Sequence, residues 1–351
     1  MTTIELQTET LTLETRFEIA RGEQHTAEVV YLRMTDEAGQ IGFGAAAPAE
    51  YYNESVSTVT TTINNSRSLI ETKARSDSPA SSITKLAEKL PSHGAALAAI
   101  DIALLDLWAK CLDSPIYQLW GYNPARAPQT SYTIGLASPP RMAEQAAKAV
   151  ADEFKYIKIK LNGESDKERL QTIHDRVPEA VFRVDMNEAW TSAEAIDALE
   201  WLPAYNVELI EQPVARDNLR GLREVTEASP VPVIADESCV VPADIPAVED
   251  AVDGINIKFM KCGGPHKAKQ MMNTARSHGL DVMLGCMVES SASIAPAWHL
   301  APAVDYVDLD GSLLLADDGF RGLQYTGGSC KLAQSGHGTG VQQKKTLGWE
   351  K

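Results

Sequence analysis

The sequence predicts an α/β fold: a (β/α)8 (TIM-type) barrel with an α+β N-terminal capping domain completed by the C-terminal tail. Three observations predict it. From Ser131 onward, eight short apolar runs alternate with polar, helix-patterned stretches, the pattern of parallel strands joined by crossover helices. Before them, the chain first alternates apolar and polar residues and then turns helical, as an α+β unit does. After them, the composition shifts to Gly, Thr and Gln. A chain of 351 residues, 44% hydrophobic and 23% charged, is long enough for a large barrel and a smaller companion.

The elements follow in order. From Thr3 to Phe43 the alternation, clearest in Val29-Val30-Tyr31-Leu32-Arg33-Met34 before the turn Glu37-Ala38-Gly39, reads as antiparallel strands. From Ser55 to about Gly121 the pattern is helical, and Ala95–Lys110 carries apolar and small residues at helical spacing, so it packs closely. Asp113-Ser114-Pro115 and Gly121 punctuate its end. The eight strand candidates are Tyr132–Leu136, Tyr156–Leu161, Val181–Asp185, Val207–Ile210, Val231–Ala235, Gly254–Phe259, Val282–Cys286 and Tyr306–Leu309. Eight such units close into a barrel. The expected division is 1–125 for the cap, 126–318 for the barrel and 319–351 for a segment returning to the cap.

Charge and composition exclude several functions. A formal net charge of −16 argues against nucleic acid or an anionic membrane as partner. No run of about 18 apolar residues is present. Met1–Thr10 lacks the basic, apolar, small-residue succession of a secretory signal. Five scattered cysteines, Cys111, Cys239, Cys262, Cys286 and Cys330, show no C-x-x-C spacing. The expectation is a cytoplasmic protein with reduced thiols and no zinc cage.

The polar residues at the strand ends carry the chemistry. Lys160, Asp185, Glu211, Asp236 and Lys258 end the second to sixth strand candidates at intervals of 25, 26, 25 and 22 residues. A barrel gathers all strand C-termini on one rim, where active sites form. One acid at a strand end is more often the N-cap of the next helix. Asp, Glu and Asp in three consecutive units favour a metal, and hard oxygen donors with open positions suit Mg²⁺ better than zinc. The second and sixth strands of eight lie diametrically opposite. Lys158 and Lys160, two apart on one strand, both point inward, and Lys258 faces them from the far wall. A lysine beside Mg²⁺ and a second ammonium has its charged form disfavoured and can act as a base. Two bases on opposite faces of one carbon suit removal of a proton from one side and its return from the other, as in a racemase or epimerase. The metal stabilises the enediolate formed when the α-proton leaves a carboxylate substrate. Asp308 and Asp310, after the eighth strand, either hold a substrate ammonium or cap the following turn. Cys286 reads as a packing residue, because no histidine occupies a matching position.

At these residues the chain resembles the enolase superfamily, in its muconate-lactonizing-enzyme subgroup. The signs are Lys-Ile-Lys at 158–160, Val-Asp-Met-Asn at 184–187, Ile-Glu-Gln-Pro at 210–213, Ala-Asp-Glu-Ser at 235–238 and Asn-Ile-Lys at 256–258. Within that subgroup, Gly285-Cys-Met-Val-Glu-Ser290 and Asp308-Leu-Asp-Gly311 resemble the dipeptide epimerases. The resemblance implies Asp185, Glu211 and Asp236 as Mg²⁺ ligands and Lys160 and Lys258 as the acid/base pair. It implies Lys158 beside the substrate carboxylate, Asp308 and Asp310 at the dipeptide's ammonium, and Thr133, Cys286 and Val288 lining the substrate site. Two departures stand out. The family often has Gly-x-Gly-Glu where this chain has Gly42-Phe-Gly-Ala45, a change at the interface between domains. The Ala-Glu enzymes present an arginine near Ala20 to grip a side-chain carboxylate; here Arg21-Gly22 occupies that neighbourhood, and Glu50-Tyr51-Tyr52 lies in the second cap loop. An acidic, aromatic cap suits a cationic or apolar dipeptide, and equally Glu50 faces only solvent.

The leading expectation is an isomerase that inverts the α-carbon of a dipeptide's C-terminal residue. An o-succinylbenzoate synthase or muconate cycloisomerase is the alternative on the same barrel, but those substrates carry no ammonium for Asp308 and Asp310. A non-catalytic binding protein on the same fold would usually have lost a ligand or a base. Family members often form symmetric assemblies, so a homo-oligomer is compatible with the sequence.

Overall fold

In the computed structural model, residues 2–76, 78–90, 93–332, 336–344 and 347–350 are described. The chain opens with a three-stranded antiparallel sheet of β1 (Thr3–Ile19), β2 (Gly22–Thr35) and β3 (Ile41–Ala46). The helices α1 (Val56–Asn65), α2 (Arg67–Ser76), α3 (Pro79–Ala87) and α4 (Gly94–Cys111) follow. Ser55 starts α1 with a capping box to Thr58, which satisfies first-turn donors that have no helical partner. The two glycines of β3 let it lie directly on α4. A Cβ at Gly42 would stand 2.3 Å from the Ala103 carbonyl oxygen, and one at Gly44 2.0 Å from that of Ala99.

Eight parallel strands make the barrel: β4 (Ser131–Ile134), β5 (Tyr156–Lys160), β6 (Val181–Asp185), β7 (Val207–Glu211), β8 (Val233–Ala235), β9 (Gly254–Lys258), β10 (Asp281–Gly285) and β11 (Tyr306–Asp308). They pair in chain order, and a parallel bridge between Thr130 and Val307 joins the two ends. Every expected strand is present within two residues of its expected ends. The all-parallel sheet is covered by helices, which is why its strands read as apolar runs.

Side chains two residues apart on a strand share a face, so the barrel interior fills in layers. Beneath the rim, Leu209, Ile234 and Met283 form an apolar cluster with Tyr306. Arg183, 2% exposed, sits two residues before Asp185. It donates to the Val307 carbonyl at 2.6 Å and to Glu208 Oε2 at 2.7 Å, with its guanidinium 4.6 Å from the Tyr156 ring centre.

The C-terminal residues lie against the first sheet. Leu6 and Glu350 exchange backbone hydrogen bonds of 2.9 and 2.8 Å. Phe320 packs on Tyr31 and Phe43, with ring centres 5.0 and 5.1 Å apart. Asp106, buried on α4, accepts from the backbone N–H groups of Phe43 and Thr339 and from Lys110 Nζ. All five cysteines are free. No helix among the described residues is long and apolar enough to cross a membrane.

Candidate active site

Strand register sets the site. Lys160 pairs with Asp185 and Asp185 with Glu211 across β5, β6 and β7, while Lys258, Gly285 and Asp308 are level across β9, β10 and β11. Asp236 follows directly on β8. The rim therefore gathers all five residues expected from their spacing, each nearly or fully buried. Lys160, Asp236 and Lys258 open, with Asp308, Asp310, Thr133, Cys286 and Val288, onto a cavity of about 690 Å³ also lined by cap residues such as Phe17, Arg21 and Tyr51, while Asp185 and Glu211, fully buried, lie outside its lining. Tyr51, Tyr52 and Glu237 also border a second cavity of about 540 Å³.

Ammonium and carboxylate groups alternate across the barrel. Lys158 Nζ lies 2.8 Å from Asp308 Oδ2, 2.7 Å from Glu211 Oε2 and 3.0 Å from Asp185 Oδ2. Lys160 Nζ reaches Asp185 Oδ2 at 2.6 Å and Asn187 Oδ1 at 3.1 Å. On the opposite wall, Lys258 Nζ donates to Asp236 Oδ2 at 2.8 Å. Burial works against the charge of Lys158 and Lys258. The carboxylates outweigh it, Asp308 foremost for Lys158 and Asp236 for Lys258, and both ammoniums are held above the usual lysine range. The expectation of a lysine with disfavoured charge concerns the site with Mg²⁺ bound; here the carboxylates dominate.

Burial pushes the acids up, and their neighbours separate them. Lysines win at Asp185 and Asp236, which are held below the usual range, Asp185 by Lys160 and Lys158 and Asp236 by Lys258 and Lys261. Glu211 is pushed up to about 7 by burial and then by Asp185. Its Oε1 accepts from Asn256 Nδ2 at 2.8 Å. Its Oε2 is close to Lys158 but outside hydrogen-bond geometry, and it is a buried acceptor without a hydrogen-bonded donor. The cation it faces here is the Lys158 ammonium at 2.7 Å. Three buried carboxylates on successive strands are the hard oxygen donors that a divalent ion such as Mg²⁺ takes. As the side chains stand, no three His, Cys, Asp or Glu groups among the described residues are gathered around one metal position; Lys158 lies between Asp185 and Glu211 instead.

Asp308 and Asp310 behave differently. Asp308 accepts from Ser131 Oγ at 2.6 Å and stays below the usual range against burial through Lys158. Asp310 accepts from the Thr133 N–H at 2.6 Å and its Oγ1 at 3.1 Å. Burial and then the charge of Asp308 push it up to about 7. The Cys286 thiol donates to the Asp308 carbonyl at 3.2 Å, and burial holds its pKa well up, so it packs rather than attacks.

Several site residues were not singled out from sequence. Asn256 shares the inward face with Lys258 two residues on, a signal the period of a strand could have given. Lys261 fixes Asp236 through Oδ1 at 2.5 Å and also donates to the Asn256 carbonyl at 2.9 Å. Gln212 Oε1 accepts from the Asp236 N–H at 2.9 Å. Glu237 takes Arg21 Nη2 at 2.7 Å. These last contacts join distant segments and leave no local pattern.

Residues 1–121 match the mandelate racemase / muconate lactonizing enzyme N-terminal domain, and residues 141–346 match the enolase C-terminal domain-like family. An L-Ala-D/L-Glu epimerase of Bacteroides thetaiotaomicron is 36% identical over 319 residues, 90% of this chain and 82% of the relative. The structure of a dipeptide epimerase from Enterococcus faecalis, complexed with Mg and L-Leu-L-Tyr, superposes with a TM-score of 0.88 at 31% identity, covering 97% of this chain and 99% of that one. One from Methylococcus capsulatus, complexed with Mg and L-Arg-D-Lys, gives 0.88 at 33% identity, covering 96% and 98%.

Proposed function

The chain belongs to the enolase superfamily, in its mandelate racemase / muconate lactonizing enzyme branch, and on that premise we propose that it is a magnesium-dependent dipeptide epimerase. The observation that carries this reading is the placement of Lys160 and Lys258 on opposite barrel walls with Asp185, Glu211 and Asp236 on the strands between. Relatives named as dipeptide epimerases, and related structures holding Mg with a dipeptide, support it.

Asp185, Glu211 and Asp236 would hold the metal. Bound Mg²⁺ supplies charge neutralisation, both of these acids and of the substrate carboxylate on which negative charge grows. The lysine on one face, in its neutral form, takes the α-proton, and the C–H electron pair moves into an enediolate. The protonated lysine on the other face returns a proton to the same carbon, inverting it. Lys158 orients the substrate carboxylate. Asp308 and Asp310 receive the terminal ammonium, with Thr133 holding Asp310. Thr133, Cys286 and Val288 wall the substrate. For a cycloisomerase, these two buried acids would have no cationic partner in the substrate. We also propose the same division into cap, barrel and returning tail at 1–125, 126–318 and 319–351.

The test is a dipeptide panel incubated in D₂O with Mg²⁺. Mass gain of one unit at the C-terminal residue, with inversion, is expected for some of its members. Lys258→Ala should retain exchange for one stereoisomer and lose it for the other, and Lys160→Ala should show the opposite preference. Absence of exchange from every dipeptide would overturn the reading.

A further inference from the structure

Glu188 stands outside the lining of the substrate cavity, yet it touches the cap loops that do line it. Its Oε2 accepts from the Tyr51 hydroxyl at 2.7 Å and from Arg21 Nη1 at 3.3 Å. Its Oε1 accepts from the Arg216 N–H at 2.6 Å. Arg21 sits in the turn between β1 and β2, and Tyr51 in a short 3₁₀ turn, Glu50–Tyr52, ahead of α1. One carboxylate on the barrel therefore ties down both cap loops and a neighbouring barrel loop.

The contacts reinforce one another. The Arg21 guanidinium lies 4.4 Å from the centre of the Tyr51 ring, and that of Arg216 lies 5.8 Å from the same centre. Arg21 also donates to the Asn187 carbonyl at 3.2 Å and pairs with Glu237 at 2.7 Å. Its charge is thus met by two protein carboxylates.

The backbone beneath Glu188 is unusual. Asn187 and Glu188 have φ of 42° and 74°, and Gln212 on the next loop has φ of 36°. The Glu188 N–H donates to the Gln212 carbonyl at 3.0 Å. Left-handed backbone at consecutive non-glycine residues persists only where the surroundings over-determine it, and it clusters at functional sites. This step aims Asn187 and Glu188 in different directions. Asn187 Oδ1 takes Lys160 Nζ, and the next side chain takes the cap.

We propose that Glu188 is a positioning residue that clasps the two cap loops over the substrate cavity, and that the Asn187–Glu188 step ties cap closure to the placement of Lys160. The kinetic part rests on the epimerase reading; the clasp itself does not. The same contacts commit Arg21 to the clasp rather than to a substrate carboxylate.

The experiment uses the full-length Mg²⁺-loaded protein as wild type, Glu188→Ala, Tyr51→Phe and the double variant. Hydrogen–deuterium exchange is read over 17–28 and 48–54 without substrate, and kcat and KM with the best dipeptide of the panel. Loss of a charge-assisted hydrogen bond corresponds to a change of about tenfold or more in the closed population. Glu188→Ala should speed exchange in both cap segments, leave β9 and β10 protected, and raise KM about tenfold with a smaller loss of kcat. Tyr51→Phe should do the same to a lesser degree, and the double variant should exceed Glu188→Ala little, because both remove one contact. Glu188→Asp should recover part of the KM. Faster cap exchange in a protein that turns over no dipeptide would support the clasp and reject the epimerase reading. Turnover with cap exchange and KM unchanged in Glu188→Ala would overturn the clasp, as would additive effects of the two substitutions.

Discussion

His299 predicts how the protein loses stability in acid. It lies fully buried in the helix Ser291–Leu300 and stacks on Tyr117, with ring centres 5.5 Å apart. Its Nδ1 accepts from the Tyr117 N–H at 3.1 Å, and its Nε2 meets the Thr339 carbonyl at 3.1 Å. Only the neutral ring with its proton on Nε2 satisfies both, and burial lowers the pKa to about 4 against some support from Thr339. The unfolded chain titrates near 6.5. Between those values the unfolded state binds the proton and the native state does not, so stability rises with pH in that window and falls as pH drops through it. At about 1.4 kcal/mol per unit over about 2.5 units, the histidine accounts for about 3 kcal/mol that is present at pH 7 and lost by about pH 4. His299→Gln can accept from Tyr117 and donate to Thr339 without titrating. Urea unfolding followed by tryptophan fluorescence at pH 7, 5.5 and 4.5 should give a wild-type stability that falls more steeply than that of His299→Gln. Down to pH 4.5, about 2 units below the unfolded value, the two curves should diverge by about 2.5 kcal/mol. Parallel curves would refute the reasoning.

Other outcomes follow from the same contacts. Asn256→Ala removes the donor to Glu211 Oε1, and loss of a partner that orients a metal ligand typically weakens affinity 10- to 100-fold; calorimetric titration with Mg²⁺ should show a shift in that range, and an unchanged Kd would count against Glu211 as a ligand. Chelation with EDTA should abolish dipeptide exchange, and Mg²⁺ at about 100 times its Kd should raise the unfolding free energy by about 2.7 kcal/mol; a thermal melt insensitive to Mg²⁺ would speak against a built site. Gly44→Ala places a methyl 2.0 Å from the Ala99 carbonyl oxygen, and overpacking of this kind costs about 1–3 kcal/mol. Calorimetry should show Tm lower by several degrees, and an unaltered Tm would mean that β3 does not rest on α4 as closely as described.

What the sequence revealed and what it concealed divide along a physical line. Lys160, Asp185, Glu211, Asp236 and Lys258 were legible because a barrel turns regular spacing into proximity: each lies at the end of one βα unit, and the fold brings those ends to one rim. Asn256 was within reach of the same reasoning, two residues before Lys258 on the same face. Arg21 was not. From sequence it is a cation in a loop near the expected substrate, and its neighbourhood suggested a grip on a side-chain carboxylate. In the structure two carboxylates, Glu188 and Glu237, already meet that charge. They stand 167 and 216 positions further along the chain (188 − 21 and 237 − 21), and no local pattern records a contact of that span. Lys261 is concealed for a related reason: it lies in a one-turn helix, Phe259–Cys262, after β9, so strand period does not reach it, and only the fold shows it beneath Asp236. The left-handed step at Asn187–Glu188 was hidden differently. Neither residue is glycine, and Asn187, a type that tolerates left-handed backbone, is too weak a mark to reveal the turn that aims one side chain at Lys160 and the next at the cap. The chemistry of the rim is thus written in the spacing of strands. The contacts between cap and barrel are long-range pairs that appear only when the two parts of the chain are brought together.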